Sequence, residues 1–433
     1  MRFEEFALRL QTDGDQCGSV TLIGSAYGSR EGTFTLHQSI QDLEELIRDL
    51  EPVLRGGRSA GTTRNLEARA EPHFVAPEEI GTALFQALFP GTIRDAFLQS
   101  LARVEQEPDT GLRIRLVLDP RSPGLSELAA LPWELLYRAD TGDFIARNPL
   151  TPFVRYLEVP RLAAPVQLTR SLKVLVASVL PDDVQPLDVE AEQKELASGW
   201  RGTSGITMEF LENPTLPQLR QKLLTDTFHA FHFIGHGQFD ASNGEGALVF
   251  RDDQGYSRPI RGRVLAEALK SQRSLRLVSL NACDTAQVPR RRGLDPFSGV
   301  ASALLMAGLP AVVAMQYPIS DAAALVFSQS FYTALAAGLP VDAAAAEARL
   351  TIHLAFPDTW EWITPALFMS VPDGRVLLPT QEIVEPASAA TTPPPPAETI
   401  RAETLGAPGG ITVGGVGNTI QGGLRLSGPG RKL

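Results

Sequence analysis

Cysteine is nearly absent from this chain, whose 433 residues include only Cys17 and Cys283. Two distant cysteines exclude a disulfide-stapled scaffold and a zinc ribbon, because both need more of them. In a reducing compartment a lone cysteine is either buried filler or a reactive thiol. Metal-ligand spacings are also missing, so the sequence predicts neither a catalytic metal nor a cofactor.

Positive charge and long apolar runs are scarce as well. Lys and Arg number 39 against 50 Asp and Glu, which makes the chain a poor candidate for binding nucleic acid. The first residues lack the apolar stretch of a signal peptide. Ser298–Ser320 is uncharged, but Gly308-Leu309-Pro310 interrupts it and predicts a helix followed by a strand. We therefore expect a cytoplasmic protein with no membrane or nucleic-acid partner.

Apolar strands alternate with helical segments over residues 166–378, which predicts a parallel sheet covered on both faces. Residues 76–165 show helix and strand patterns without a pair of catalytic side chains. In residues 1–75 we predict two strands and a helix over Ile40–Leu50. The predicted strands are Phe3–Gln11, Ser19–Ser25, Leu112–Leu118, Phe153–Leu157, Leu172–Val179, Ala230–Ile234, Leu275–Leu280 and Ala311–Met315.

The composition changes near the C-terminus. Residues 379–407 contain four consecutive prolines and are predicted to form an extended linker. Residues 408–433 are a Gly-rich, β-prone tail. Within it, residues 409–423 combine β-branched residues, Asn and Gln without charge, a composition that favours pairing with identical or similar segments. The alternative is a disordered end, since so much glycine prevents a packed core.

Two predicted strands end in chemically reactive residues. His236 follows one strand and Cys283 another, and the carboxyl ends of parallel strands meet at one edge of a sheet. A cysteine thiolate attacks a peptide carbonyl when a histidine accepts its proton. The backbone N–H groups of Gly237 and Cys283 are candidates for stabilising the oxyanion. We expect His229 and His232 to pack inside the fold or to support the site residues from behind.

Several sequence blocks resemble one known family. Phe-His-Phe-Ile-Gly-His-Gly (231–237), Leu-Asn-Ala-Cys-Asp-Thr-Ala (280–286), Leu-Pro-Trp-Glu-Leu-Leu (131–136) and residues 314–321 are similar to blocks of CHAT-domain proteases, clan relatives of caspases and separases. The resemblance implies a caspase-like three-layer α/β sandwich with a mostly parallel sheet in residues 166–378. It also implies a degenerate caspase-like half in residues 76–165, and a flexible tail follows.

The resemblance also suggests finer features of the site. His236 and Cys283 have nearly the roughly 50-residue spacing of caspases, but the chain reads Asn-Ala-Cys-Asp-Thr (281–285), so aspartate specificity is not carried over. Asp321, with Gln316, would line a pocket selecting Arg or Lys. The alternative is that Ser320 or Asp321 caps a helix. Arg290, Arg291 and Arg292 would then form a self-cleavage site, or else a solvated loop.

Three functions fit these patterns to different degrees. The first is a regulated cysteine endopeptidase cleaving a specific protein substrate, which the resemblance connects with bacterial stress, immunity or cell death. The second is a catalytically silent caspase-like adaptor that recruits partners through its tail. The third, a small-molecule hydrolase or transferase, is disfavoured because no G-x-S-x-G elbow or phosphate-binding G-x-G-x-x-G follows a strand.

Overall fold

The computed structural model describes residues 1–12, 17–36, 76–118, 125–184, 205–240, 245–284 and 296–379. For residues 126–127, 239–240, 245, 282–284 and 296–298 it describes the backbone alone. The predicted helix over Ile40–Leu50, the linker and the tail lie outside these ranges.

The strands are numbered in chain order. They are β1 (Arg2–Thr12), β2 (Cys17–Gly24), β3 (Arg30–Thr35), β4 (Thr110–Val117), β5 (Tyr137–Arg138), β6 (Asp143–Phe144), β7 (Phe153–Tyr156), β8 (Val166–Gln167), β9 (Leu172–Ser178), β10 (Ile206–Glu212), β11 (Ala230–Asp240), β12 (Glu245–Arg251), β13 (Ser257–Arg261), β14 (Leu277–Asp284), β15 (Ala311–Met315), β16 (Pro365–Met369) and β17 (Leu377–Leu378).

The helices are numbered in the same way. They are α1 (Pro77–Leu88), α2 (Thr92–Val104), α3 (Leu125–Ala130), α4 (Leu216–Thr225), α5 (Gly262–Leu269), α6 (Pro296–Met306), α7 (Asp321–Ala336) and α8 (Val341–Ala355). Short 3₁₀ turns occupy Trp133–Leu135, Ile145–Arg147 and Glu361–Ile363. Each strand predicted within the described ranges is present, with ends shifted by up to four residues, except that β11 continues to Asp240 instead of ending at Ile234.

One 13-stranded sheet contains most of the strands, in the order β10-β9-β11-β14-β15-β16-β7-β4-β1-β2-β3, while β12 pairs with β11 and β13 pairs with β12. The first five strands are mutually parallel. β16 pairs antiparallel with β15 and parallel with β7, which pairs parallel with β4. On the path from β10 to β4, strand direction therefore reverses once, between β15 and β16, and the two predicted halves meet at the parallel pair of β16 and β7. The predicted α/β class with a mostly parallel sheet is confirmed.

Helices cover both faces of this sheet. Successive side chains of a strand point to opposite faces, and in these strands the side chains on both faces are apolar and need to be buried. Val174 and Ile234 belong to a buried cluster that includes residues of α1, α2, α7 and α8. Their strand neighbours Leu175 and Phe233 belong to a second cluster with residues of α4, α5 and α6. The result is three layers, helix–sheet–helix.

The chain divides into two compact units, Met1–Gln381 and Glu382–Leu433. The described residues all lie in the first unit, so the predicted segments 1–75, 76–165 and 166–378 contribute to one sheet. Ser298–Ser320 forms the end of α6 and all of β15, as predicted. Among the described residues, none of the helices is long and apolar enough to cross a membrane.

Candidate active site

His236 lies in the second part of β11, in the interior of the molecule. The strand begins with the apolar run Ala-Phe-His-Phe-Ile, and His236 itself is only 2% exposed. Because side chains alternate along a strand, His236 shares a face of β11 with His232 and Ile234. That is the face covered by α7 and α8.

Cys283 lies on the neighbouring strand, in direct register with His236. β11 and β14 run parallel, and their paired positions include Ile234 with Asn281 and His236 with Cys283. Adjacent strands are about 4.8 Å apart, so the two backbone positions are immediate neighbours. The structure thus brings together the two residues that the sequence singled out, although they are far apart along the chain.

Glycines flank His236 on β11. A Cβ at Gly235 would meet the carbonyl oxygen of Val179 at 2.9 Å, so only glycine allows this close approach of the two segments. Gly237, the predicted oxyanion donor, is paired with Asp284 on one side and Leu248 on the other. Its backbone therefore lies one position beyond the His236–Cys283 pair.

Two further histidines near β11 are used in packing. His229 Nδ1 accepts a hydrogen bond from the Lys173 N–H at 2.9 Å. His232 is 1% exposed, and its Nδ1 lies 3.0 Å from Tyr332 Oη on α7. Burial lowers the pKa of His232 to about 4 and raises the pKa of Tyr332. His232 is therefore a neutral imidazole joining the sheet to α7 near neutral pH.

The segment after β15 carries the two predicted pocket residues, which have different surroundings. Asp321 is exposed in the first turn of α7. Ser320 is the N-cap, because its side chain accepts a hydrogen bond from the Ala323 N–H at 3.3 Å. Gln316 is 4% exposed, and its amide Nε2 donates to Ala130 O at 2.6 Å and Leu131 O at 3.3 Å.

A buried ion pair that the sequence interpretation missed holds Gln316 from the other side. Arg155 on β7 donates through Nη2 to Gln316 Oε1 at 2.7 Å. The same guanidinium donates through Nε to Glu134 Oε1 at 3.2 Å and also bonds Glu134 Oε2. Glu134 is fully buried and Arg155 is 3% exposed. The sequence did contain a signal for this ion pair, because one charged residue interrupts each of two apolar runs, 131–136 and 153–157.

Arg349 on α8 adds a second guanidinium to this cluster. It lies 3.7 Å from Glu134 and donates to Pro365 O at 3.0 and 2.8 Å and to Ala146 O at 3.3 Å. Burial lowers its pKa to about 10, so it stays charged at neutral pH. The carbonyl oxygens compensate this charge.

Arg290, Arg291 and Arg292 lie outside the described residues, as do residues 409–423. Self-cleavage and tail pairing stay predictions. Within the part of the chain that the structure describes, no group of three or more His, Cys, Asp or Glu could hold a metal ion. Cys17 is exposed on β2.

The solved structures that match this chain include the following three. The separase–securin complex of Saccharomyces cerevisiae at 2.6 Å matches with a TM-score of 0.45 and 11% identity, over 84% of this chain and 30% of that chain. The same complex at 3.0 Å gives 0.36 and 14%, over 76% and 22%. A secreted C11 cysteine protease from Bacteroides thetaiotaomicron, in complex with an irreversible peptide inhibitor, gives 0.31 and 10%, over 43% and 59%.

This chain thus spans less than two thirds of each of those proteins. No curated protein sequence matches it. Residues 78–373 match the family described as CHAT domain. Because this match covers more than half of the 433 residues, the chain belongs to the CHAT domain family, as its motifs predicted.

Proposed function

We propose that this protein is a cysteine endopeptidase in which Cys283 is the nucleophile and His236 the general base. One observation carries the proposal: the parallel register that sets His236 opposite Cys283 on neighbouring strands. Membership of the CHAT family supports it, since the resemblance of the motifs is to proteases of that family. The substrate class is a protein.

The reaction proceeds in two steps. Cys283 gives its thiol proton to His236, and the thiolate sulfur attacks the peptide carbonyl carbon to form a tetrahedral oxyanion. The C–N bond then breaks, and His236 returns the proton to the leaving amine. Water next hydrolyses the thioester, with His236 accepting its proton and restoring the thiol. The carboxylic acid product then leaves. All atoms and protons of the two steps come from the peptide, the water, Cys283 and His236.

The oxyanion needs donors placed before the reaction begins. Gly237 and Cys283 are the proposed backbone donors, because both lie at the paired ends of β11 and β14. A glycine at 237 leaves the approach to its N–H free of a side chain.

The proposed preference is for Arg or Lys before the cleaved bond, with Asp321 as the selecting carboxylate. Its exposure at the start of α7, shortly after β15, supports this role. An accessible carboxylate attracts a basic side chain by charge, although solvent weakens the interaction.

The test is cleavage of fluorogenic peptides that differ at the residue before the cut. Wild type, Cys283→Ala, His236→Ala and Cys17→Ala are compared at equal concentration. Cys17→Ala is the matched control, because it removes the other cysteine from an exposed position on β2. Loss of a nucleophile or its base lowers kcat by about a thousandfold or more, whereas Cys17→Ala retains wild-type cleavage.

A second measurement identifies the reacting atom. A peptide carrying an irreversible electrophile should add its mass to Cys283 in wild type and to no residue in Cys283→Ala. Cleavage that survives in Cys283→Ala contradicts the dyad. A wild-type chain that neither cleaves peptides nor reacts with the electrophile contradicts the endopeptidase and favours the silent adaptor.

A further inference from the structure

The two halves of the sheet are joined beside the proposed site by Glu134, Arg155 and Gln316, here called the junction network. We propose that the junction network positions the segment Gln316–Ser320 next to the His236–Cys283 pair. Arg155 and Gln316 are thus positioning residues, through which the half without a dyad sets the geometry of the substrate-binding side. The inference rests on the proposed function for its kinetic consequences, but its structural claim is independent.

Gln316 lies close to the proposed nucleophile along the sheet. β15 pairs parallel with β14, and Leu280 is opposite Ala314. The pairing ends there, and the same register continued by two residues would bring Gln316, which directly follows β15, level with Ala282, the residue before Cys283. The segment that Gln316 begins is therefore the next part of the chain beside the dyad, on the side away from β11.

The side chain of Gln316 is held entirely from the first half. Its Oε1 accepts from Arg155 Nη2, and its Nε2 donates to the carbonyl oxygens of Ala130 and Leu131. Arg155 in turn is oriented by a two-point contact with Glu134 and by Nη2 donation to Leu131 O at 3.0 Å. Such fork geometry fixes a guanidinium in direction as well as in position.

The backbone of the same segment is tied down at both ends. The Gln316 N–H donates to Thr364 O at 2.8 Å, and the Ser320 N–H donates to Glu361 Oε1. Arg349 bonds the carbonyl of Pro365, the residue paired with Met315. The junction network and its neighbours therefore hold the exit of β15 on more than one side.

Burial makes this arrangement sensitive to small changes. Glu134, Arg155 and Gln316 are all at most 4% exposed, so a lost partner leaves a polar group buried without compensation. Arg155→Lys keeps the charge but removes the fork. Gln316→Ala leaves the Glu134–Arg155 pair intact and removes only the contact with the segment, so it is the gentler variant.

Arg113→Lys is the matched control. Arg113 lies on β4 of the first half, and its buried guanidinium makes a two-point contact with Asp342. Among the described residues it has no bond to Gln316. Because Asp342 lies on α8, the variant reports the cost of weakening another buried ion pair between the two halves. A purely structural role for the junction network predicts similar behaviour of Arg155→Lys and Arg113→Lys.

Hydrogen exchange in the full-length protein is the first measurement. We expect the backbone amides in residues 316–320, where Pro318 has none, to exchange about tenfold faster in Gln316→Ala and Arg155→Lys, as loss of one or two hydrogen bonds implies. In Arg113→Lys they should exchange as in wild type. Unchanged exchange in both junction variants, or an equal increase in the control, overturns the inference.

Kinetic measurements separate a positioning role from general destabilisation, because they compare peptide binding with the reactivity of Cys283. Gln316→Ala should raise KM for a cleaved peptide about tenfold, while alkylation of Cys283 by iodoacetamide stays within about twofold of wild type. Equal losses in alkylation and in peptide binding contradict a positioning role. If wild type cleaves no peptide, the proposed function fails, and the exchange experiment alone decides on the inference.

Discussion

Asp321 and Gln316 lie only five positions apart, yet their side chains have opposite surroundings. Asp321 is exposed at the start of α7, whereas Gln316 is buried and bonded to the first half. Sequence patterns gave both the same role, because a stretch after a strand does not reveal which side chain turns inward. The two residues therefore call for different tests.

Asp321→Asn removes a charge at nearly constant size. We expect kcat/KM for peptides with Arg or Lys before the cut to fall about two- to fivefold, since one exposed charge pair is lost. Peptides with an uncharged residue at that position should be cleaved as before. Asp226→Asn is the control, because this exposed carboxylate precedes β11, at the edge of the sheet opposite the dyad. An equal loss for all peptides contradicts selection by Asp321.

His232 makes stability depend on pH. Its pKa is about 4 in the folded protein against 6.5 ordinarily, because burial disfavours the charged imidazole. The stabilisation from keeping it neutral is complete above pH 6.5 and is lost as the pH falls from 6.5 towards 4. At pH 5 the loss should be about 2 kcal/mol.

Urea unfolding at pH 7.5 and 5.0 checks this expectation. The decrease in unfolding free energy between the two pH values should be smaller in His232→Gln than in wild type by about 2 kcal/mol. His353→Gln is the control. His353 is only partly buried, and burial lowers its pKa as well, but without the full burial of His232. Equal pH dependence in wild type and His232→Gln would contradict a buried neutral His232.

Strands with continuous apolar runs could be predicted from the sequence. Leu172–Ser178 and Ala311–Met315 are buried on both faces, so their composition carries the signal. β10 was missed because Ile-Thr-Met-Glu-Phe-Leu-Glu mixes charges into an edge strand that is only partly buried. β16 was missed because it begins with proline.

The length and register of β11 could not be predicted from the sequence either. The glycines around His236 suggested that the strand ended there, but pairing with β12 extends it to Asp240. A hairpin partner is a long-range feature that local patterns do not contain. The proximity of His236 and Cys283 was predictable because both follow apolar runs. Their direct pairing could only come from the fold.

The first turn of α7 depends on Ser320. Ser320→Ala removes the acceptor for the Ala323 N–H and should lower the unfolding free energy by about 1 kcal/mol. Ser320→Thr should restore most of the loss. Thr215→Ala provides the comparison, because Thr215 caps α4 through the Gln218 N–H. Denaturant unfolding measures all three, and a Ser320→Ala variant as stable as wild type would exclude the cap.

The reversal of strand direction between β15 and β16 sets the direction of the first-half strands, because β7 pairs parallel with β16. The carboxyl ends of β4 and β7 lie at the edge of the sheet opposite those of β11 and β14. The carboxyl ends of β4 and β7 therefore lie away from the site, which agrees with the lack of a dyad in the first half. Its contribution comes through Glu134 and Arg155, and sequence patterns could not show this because strand direction is not encoded locally.

The two halves should nevertheless unfold together. One hydrophobic cluster contains Leu112 of β4 and Leu172 of β9, both fully buried, and the sheet is continuous between them. Opening either half would expose apolar surface of the other, so neither half has a core of its own on that face. Leu112→Ala and Leu172→Ala should each lower the unfolding free energy by about 2–5 kcal/mol.

Both substitutions should shift the same cooperative transition. Circular dichroism follows the secondary structure of the whole chain. Tryptophan fluorescence comes from four residues, which include the buried Trp133 of the first half and Trp362 of the second. In each variant the two signals should move together to lower urea concentration. If Leu112→Ala shifted only one phase of a biphasic curve, the halves would be separate folding units. Because β16 is paired on one side with β15 and on the other with β7, a single transition is the outcome that the sheet requires.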